Sequence, residues 1–156
     1  MSIFKSIKKW FAFPEKQDSL SALIAYIRVG EIIDLVVYTN VCLPYKFDPN
    51  ALWQIYEGAD LAIKQGFGSC TAKAAVHSEV IREWTGWESY HVQMVYANNT
   101  AHDVSFFIDS DGEPGWLDGV VHYGDYYDMR VYYNSIGWQI VDWAIVNDIG
   151  QEVKEL

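Results

Sequence analysis

Cys70 closes the run Gly66-Phe67-Gly68-Ser69-Cys70, where a glycine-rich turn opens onto a helical pattern. Ala72, Ala75, Val76, Val80 and Trp84 recur at helical spacing and Gly86 follows, so the pattern predicts a helix from about Cys70 to Trp84. A thiol in the first turn lies at the positive end of the helix dipole, among N–H groups that lack intrahelical acceptors. Both favour thiolate over thiol, and the same N–H groups can hold a developing oxyanion. The competing reading is that Cys70 is a small buried hydrophobe, as free cysteines often are. Cys42, ahead of Leu43 and Pro44 in an apolar run, fits that second description and is expected to be buried and inert.

A base and an acid are sought further along. His102 opens the run HDVSFFI, and Asp118 lies beyond the turn sequence DSDGEPG, whose Asp-Gly pair is a strong hairpin signal. If the hairpin is centred on residue 110, His102 faces Asp118 with Cβ atoms about 4.5–5.5 Å apart; centred on 112, it faces His122 and Asp118 is a diagonal neighbour. Either register keeps His102, Trp116, Asp118 and His122 on one face. A carboxylate there would hold the imidazole tautomer and stabilise imidazolium. Asp103 and Asp109 are weaker candidates for that role, because alternation turns them to the opposite or a more distal position. A surface hairpin of ordinary polar residues is the alternative to a catalytic one. Asp109, Asp111 and Glu113 read as turn chemistry rather than as a calcium loop. His77, two helical turns beyond Cys70, reads as a packing or surface residue, and His91 alternates away from the apolar side of its strand. No zinc spacing or phosphate-binding glycine loop occurs, and no cofactor is expected.

The elements that must position these residues follow from periodicity. Ile3, Phe4, Ile7, Trp10 and Phe11 form one face of a helix over 2–13, with Lys5, Lys8 and Lys9 elsewhere and Pro14 at its end. That helix is read as packing on its own domain; the rival reading is an anchor for an anionic membrane surface through residues 1–13. A second helix is expected from Asp18 to about Val29, closed by Gly30. The β-branched run IIDLVVYT is either a strand or a buried helix. Asp48 and Pro49 signal the start of a helix whose stripe ends at Gly66. Strands are expected over Tyr90–Tyr96, His102–Ile108, Trp116–Tyr123, Met129–Tyr133 and Trp138–Val146. Helices first and an antiparallel sheet after make the fold class α+β.

Cys70 in GFGSCTAKAA, the helix ending at Gly86, the strand YHVQMVYA, His102 in HDVSFFI and Asp118 in WLD together resemble the transglutaminase-like cysteine protease superfamily. The likeness covers roughly residues 48–123. It implies a papain-like core and a thiol acyl-transfer site with Cys70 as nucleophile, His102 as base and Asp118 as orienter. Many relatives carry an acidic residue beside the cysteine and an apolar pair after the histidine; here Ser69 and Thr71 flank the cysteine and Asp103 follows His102. Gln65 or Trp53 are possible side-chain oxyanion donors, after the backbone N–H of Cys70. The implied function is hydrolysis of peptide or amide bonds through an acyl-thioester. The alternatives are transglutaminase-type transfer to an amine, a papain-like cell-wall-peptide hydrolase with His122 in third place, or an inactive binding module on the same fold.

Composition sets the outer limits. The 156 residues are 51% hydrophobic and 16% aromatic, suited to one well-packed domain over 1–156. A net charge of −10 argues against nucleic-acid partners, and the resemblance implies a peptide or protein substrate. No Lys or Arg occurs between Arg82 and Arg130, a stretch rich in carboxylates that reads as a solvated face, with attraction of a cationic substrate as the alternative. Two cysteines make no disulfide framework, and Lys5, Lys8 and Lys9 precede no long apolar stretch, so a cytoplasmic location is expected.

Overall fold

The computed structural model describes residues 14–28, 31–46, 58–146 and 152–155. The expected helix over 2–13, the closing Gly30 and the Asp48-Pro49 helix start lie outside them. Helix α1 spans Leu20–Ile27, and Ser19 caps it by accepting the Ala22 N–H. Helix α2 spans Ile32–Cys42, which resolves the ambiguity of IIDLVVYT. Its β-branched residues would suit a strand, but Glu31 and Asp34 form a reciprocal capping box, and Leu35, Val36, Tyr38 and Thr39 are buried. Helix α3 spans Ala59–Gln65, and α4 runs Cys70–Thr85 with Ser69 accepting the Ala72 N–H.

Six antiparallel strands follow: β1 Glu88–Tyr96, β2 Ala101–Ile108, β3 Pro114–Leu117, β4 Val121–Tyr123, β5 Ile140–Val146 and β6 Glu152–Glu155. They lie in the order β4-β3-β2-β1-β5-β6. Between β4 and β5 sits helix α5, Tyr126–Ser135, where the sequence pattern predicts a strand over Met129–Tyr133. Capping decides against the strand. Asp125 accepts the N–H groups of Tyr127 and Asp128, and Asp128 reaches back to the Asp125 N–H. Met129 and Tyr133, four residues apart, then bury together.

Each face of the sheet has its own core. Phe107 and Leu117 pack with the helical cluster that includes Leu23, Leu35, Ile63 and Val76. The opposite face presents Val92, Met94, Val104, Phe106 and Trp116 to Met129 and Tyr133 of α5. Polar residues line part of the α4 face, and they are paired. Ser78 donates to Ser105 at 2.8 Å, and Ser89 donates to the Phe106 carbonyl at 3.0 Å. Buried hydroxyls thus keep partners without opening the interface to water.

The expected return strand, Trp116–Tyr123, is in fact two strands joined at Asp118-Gly119-Val120. Gly119 takes φ +70°, a left-handed conformation that glycine adopts without the Cβ penalty. The Asp118 N–H donates to the Val120 carbonyl at 3.1 Å, and Asn40 of α2 donates its amide to the Gly119 carbonyl at 2.7 Å. Gly115, inside β3, is needed for a different reason. A Cβ there would lie 2.5 Å from the Phe107 ring and 2.6 Å from the His122 carbonyl oxygen. Gly115→Ala should therefore force β4 or Phe107 aside, at a cost of roughly 1–3 kcal/mol in urea unfolding. An unchanged urea midpoint would show that this hairpin yields at no cost.

Candidate active site

Cys70 is the first residue of α4, and its side chain is largely buried. The N-cap hydroxyl of Ser69 satisfies the Ala72 N–H, leaving others of the first turn directed out of the helix end. Upstream, the Gly68 N–H donates to the Pro44 carbonyl, and the Gly68 carbonyl accepts from Lys46. The approach to Cys70 is thus fastened to the chain leaving α2.

Strand β2 brings His102 to the same place. It pairs with β3 in the register Ser105↔Leu117, Phe106↔Trp116, Phe107↔Gly115 and Ile108↔Pro114. The hairpin is centred on residue 111, between the two registers considered from sequence. Parity is unaffected, so His102 and Asp118 remain on one face. Asp118 sits just past the end of β3 and aims back along the sheet. Its Oδ2 lies 2.9 Å from His102 Nε2 and accepts the Tyr133 hydroxyl at 2.5 Å. With Nε2 committed to Asp118, Nδ1 is the ring nitrogen left for Cys70.

Cys70, His102 and Asp118 line one cavity of about 130 Å³, with Asn40, Lys73 and His77 on its walls. Trp138 and Tyr133 meet the His102 ring edge-on at 5.5 and 6.1 Å between centroids. Burial opposes a charge on His102, but the hydrogen bonds and charges of Asp118 and Cys70 outweigh it and push its pKa up to about 10. For Asp118, burial favours the neutral acid. The His102 bond and charge, with the Tyr133 hydroxyl, overcome this and hold the carboxyl below its usual range. The pair therefore sits between two pH limits. The His102 contribution to stability is complete below the unfolded value of about 6.5 and is lost as pH rises through about 10. The Asp118 contribution is present above about 3.9 and is lost as pH falls through its depressed folded value.

The other candidates are placed elsewhere. His122 stacks flat on Trp116, with ring centroids 4.6 Å apart, and packs against Tyr132 rather than His102. Burial lowers its pKa, against the pull of the Asp118 charge. Asp103 points to the α4 face, as alternation predicts. There it accepts from Thr71 Oγ1 and from Gln93 Nε2 at 3.2 Å, with His91 Nε2 3.3 Å and Cys70 Sγ 3.9 Å away. His91 and His77 are both buried. His77 Nε2 meets the Thr39 hydroxyl at 2.8 Å, and burial, reinforced by the Lys73 charge, pushes its pKa down to about 3. Asp109 caps its own turn by accepting the Asp111 and Glu113 N–H groups. Gln65 donates to the Phe67 carbonyl, while Trp53 lies outside the described residues. Cys42 is partly buried and donates to the Pro14 carbonyl at 3.4 Å. Tyr133 is the residue that the sequence pattern misses, because it was assigned to a strand. The signal that finds it is the Asp125/Asp128 capping box, which makes the segment a helix.

No family model and no curated protein matches the sequence. Among solved structures, calcium-bound LapG of Legionella pneumophila is similar, with a TM-score of 0.54 over 100% of this chain and 94% of that one, at 13% identity. The likeness is one of fold: this chain has the α+β, transglutaminase-like core. Among the described residues no cluster of three or more His, Cys, Asp or Glu side chains is arranged to hold a metal ion.

An NMR titration of the His102 ring should show it protonated through neutral pH, with a midpoint near 10. Asp118→Asn removes the paired charge and should bring that midpoint down by more than one pH unit, toward roughly 6.5. An ordinary midpoint in the parent protein would mean that the Asp118 contact is not an ion pair. Tyr133→Phe removes a hydrogen bond to a charged group, for an expected loss of about 1.5–3 kcal/mol at neutral pH in denaturant unfolding.

Proposed function

We propose that this chain is a single-domain, cysteine-dependent acyl-transfer enzyme of the transglutaminase-like superfamily, hydrolysing peptide or amide bonds in a peptide or protein substrate. The carrying observation is the setting of His102, whose Nε2 is 2.9 Å from Asp118 and which lines one cavity with Cys70. In this reading Cys70 is the nucleophile, His102 the base and Asp118 the residue that orients it.

In the resting site the thiol proton already resides on His102 as imidazolium, and the Cys70 thiolate adds to the carbonyl carbon to form a tetrahedral adduct. Its oxyanion would lie at the start of α4, where first-turn N–H groups lack intrahelical partners. Collapse breaks the C–N bond as the imidazolium of His102 protonates the leaving amine. The acyl group is then a thioester on Cys70. Water, deprotonated by His102, adds to it and releases the acid and the thiol. An amine taking the place of water would give transamidation by the same steps. Asp118 stays ionised throughout and balances the charge that His102 gains and loses.

His122 in third place is disfavoured by its stack on Trp116. Tyr133, buried and donating to Asp118, supports a carboxylate held for a purpose rather than a surface hairpin. Among the described residues no helix is long and apolar enough to cross a membrane.

Iodoacetamide at pH 6 tests the reading without a known substrate. An ordinary thiol is almost wholly protonated there, so Cys70 should react roughly a hundredfold faster than Cys42. Burial raises the Cys42 thiol further, though Lys16 opposes the shift. His102→Ala should remove most of the difference. Equal, slow labelling of both cysteines would overturn the assignment of Cys70 as nucleophile.

A further inference from the structure

The cavity beside Cys70 includes a basic group that has no role in the chemistry above. Lys73 lies three residues beyond Cys70 on α4, on the same helical face, and lines the cavity with it. It is half-buried. The two carboxylates on the cavity walls are both engaged. Asp118 takes His102 and Tyr133, and Asp103 takes Thr71 and Gln93. Asn40, also on the wall, gives its amide to the Gly119 carbonyl. Among the described residues the Lys73 ammonium makes no hydrogen bond or ion pair. Burial lowers its pKa, while the charges of Asp118 and Cys70 raise it.

A half-buried ammonium has given up part of its hydration, and no protein acceptor replaces it. An anion entering the cavity would supply the acceptor. The thiol one helical turn away fixes which part of a substrate passes this point. We propose that Lys73 forms an anion subsite next to Cys70, so that the substrate presents a carboxylate beside the carbonyl that the thiol attacks. This rests on Cys70 being the nucleophile, and it narrows the substrate class to acyl compounds with a nearby carboxylate. The selection is local. The molecule as a whole carries a charge of −10 and does not draw anions from a distance. The carboxylate belongs either to an acidic side chain or to a chain terminus, and both present the same group to Lys73.

Two alkylating agents of similar size separate the contributions. Iodoacetate carries a carboxylate where iodoacetamide carries an amide, and with each the Cys70 sulfur bonds to the methylene carbon and releases iodide to solution. The ratio of their rates at Cys70 is to be measured in the parent protein, in Lys73→Met and in Lys73→Arg, all at one ionic strength. The ratio should fall by roughly fivefold in Lys73→Met, the upper range for a partly exposed pair, and be retained in Lys73→Arg. The arginine variant also guards against a general effect of substitution on the fold. An unchanged ratio in Lys73→Met overturns the subsite, while fast iodoacetamide labelling in the same samples leaves the thiol–imidazole site standing. Slow labelling of Cys70 by both agents in the parent protein would instead remove the nucleophile, and the subsite with it. Protection of Cys70 by N-acetylglutamine, whose carboxylate is terminal, is then compared with protection by N-acetylglutamate α-amide, whose carboxylate is on the side chain. The compound whose protection weakens in Lys73→Met identifies the source, and protection by both that is indifferent to Lys73 overturns the proposal.

Discussion

Two donors converge on one oxygen of Asp118: the His102 ring at 2.9 Å and the Tyr133 hydroxyl at 2.5 Å. A carboxylate so largely removed from water would ordinarily take up a proton. Here it remains charged because a ring that gains a proton and a hydroxyl that donates one are both fixed against it. The His102 charge depends on Asp118 in the same way, since burial alone would keep the imidazole neutral. Neither group keeps its ionisation without the other. Much of the architecture around the site can be understood as holding these three side chains in place.

That requirement explains several otherwise unconnected features. In the register centred on 111 a continued β3 would set Asp118 opposite Val104, two residues short of His102, so Asp118 meets His102 from the turn that follows β3. Gly119 permits the turn, and Asn40 ties it to α2. Helix α5 must dock on the face of β1 and β2 opposite α4, since Tyr133 reaches Asp118 from there. The apolar cluster of Val92, Met94, Phe106 and Trp116 against Met129 and Tyr133 supplies that docking. The sheet itself separates His102 from its neighbour Asp103. His102 is held by Asp118, while Asp103 is held among Thr71, Gln93 and His91, and both border the cavity.

Electrostatically the cleft differs from the surface around it. From Glu83 to Met129 the chain has carboxylates and no Lys or Arg, yet the groups lining the cavity include a histidine raised toward a permanent charge and a half-buried lysine. Long-range potential and local recognition are separate effects. Salt screens the first within about 10 Å at moderate ionic strength, whereas partly buried charges are screened much less.

Local signals in the sequence determined a good part of this structure. The helix at Cys70 was legible because a cap, an apolar stripe and a terminating glycine all agree over Ser69–Gly86. Strand β1 was legible because its residues alternate from Tyr90 to Tyr96. The shared face of His102 and Asp118 was legible for a stronger reason: strand geometry has a period of two, so every register centred on a whole residue keeps the two on one face. The centre of that hairpin was not, because 110, 111 and 112 all satisfy the same alternation. Packing of Gly115 under Phe107 and the turn at Gly119 select 111. Helix α5 was missed because its tyrosines suit a strand as well as a helix, although its capping box was present in the sequence. Three facts lay beyond any local pattern: that His102 and Cys70 line one cavity, that Tyr133 closes on Asp118, and that Lys73 borders the same cavity. Each depends on where α4 and α5 rest on the sheet, and that is decided by burying two apolar faces at once, a condition that no single segment carries.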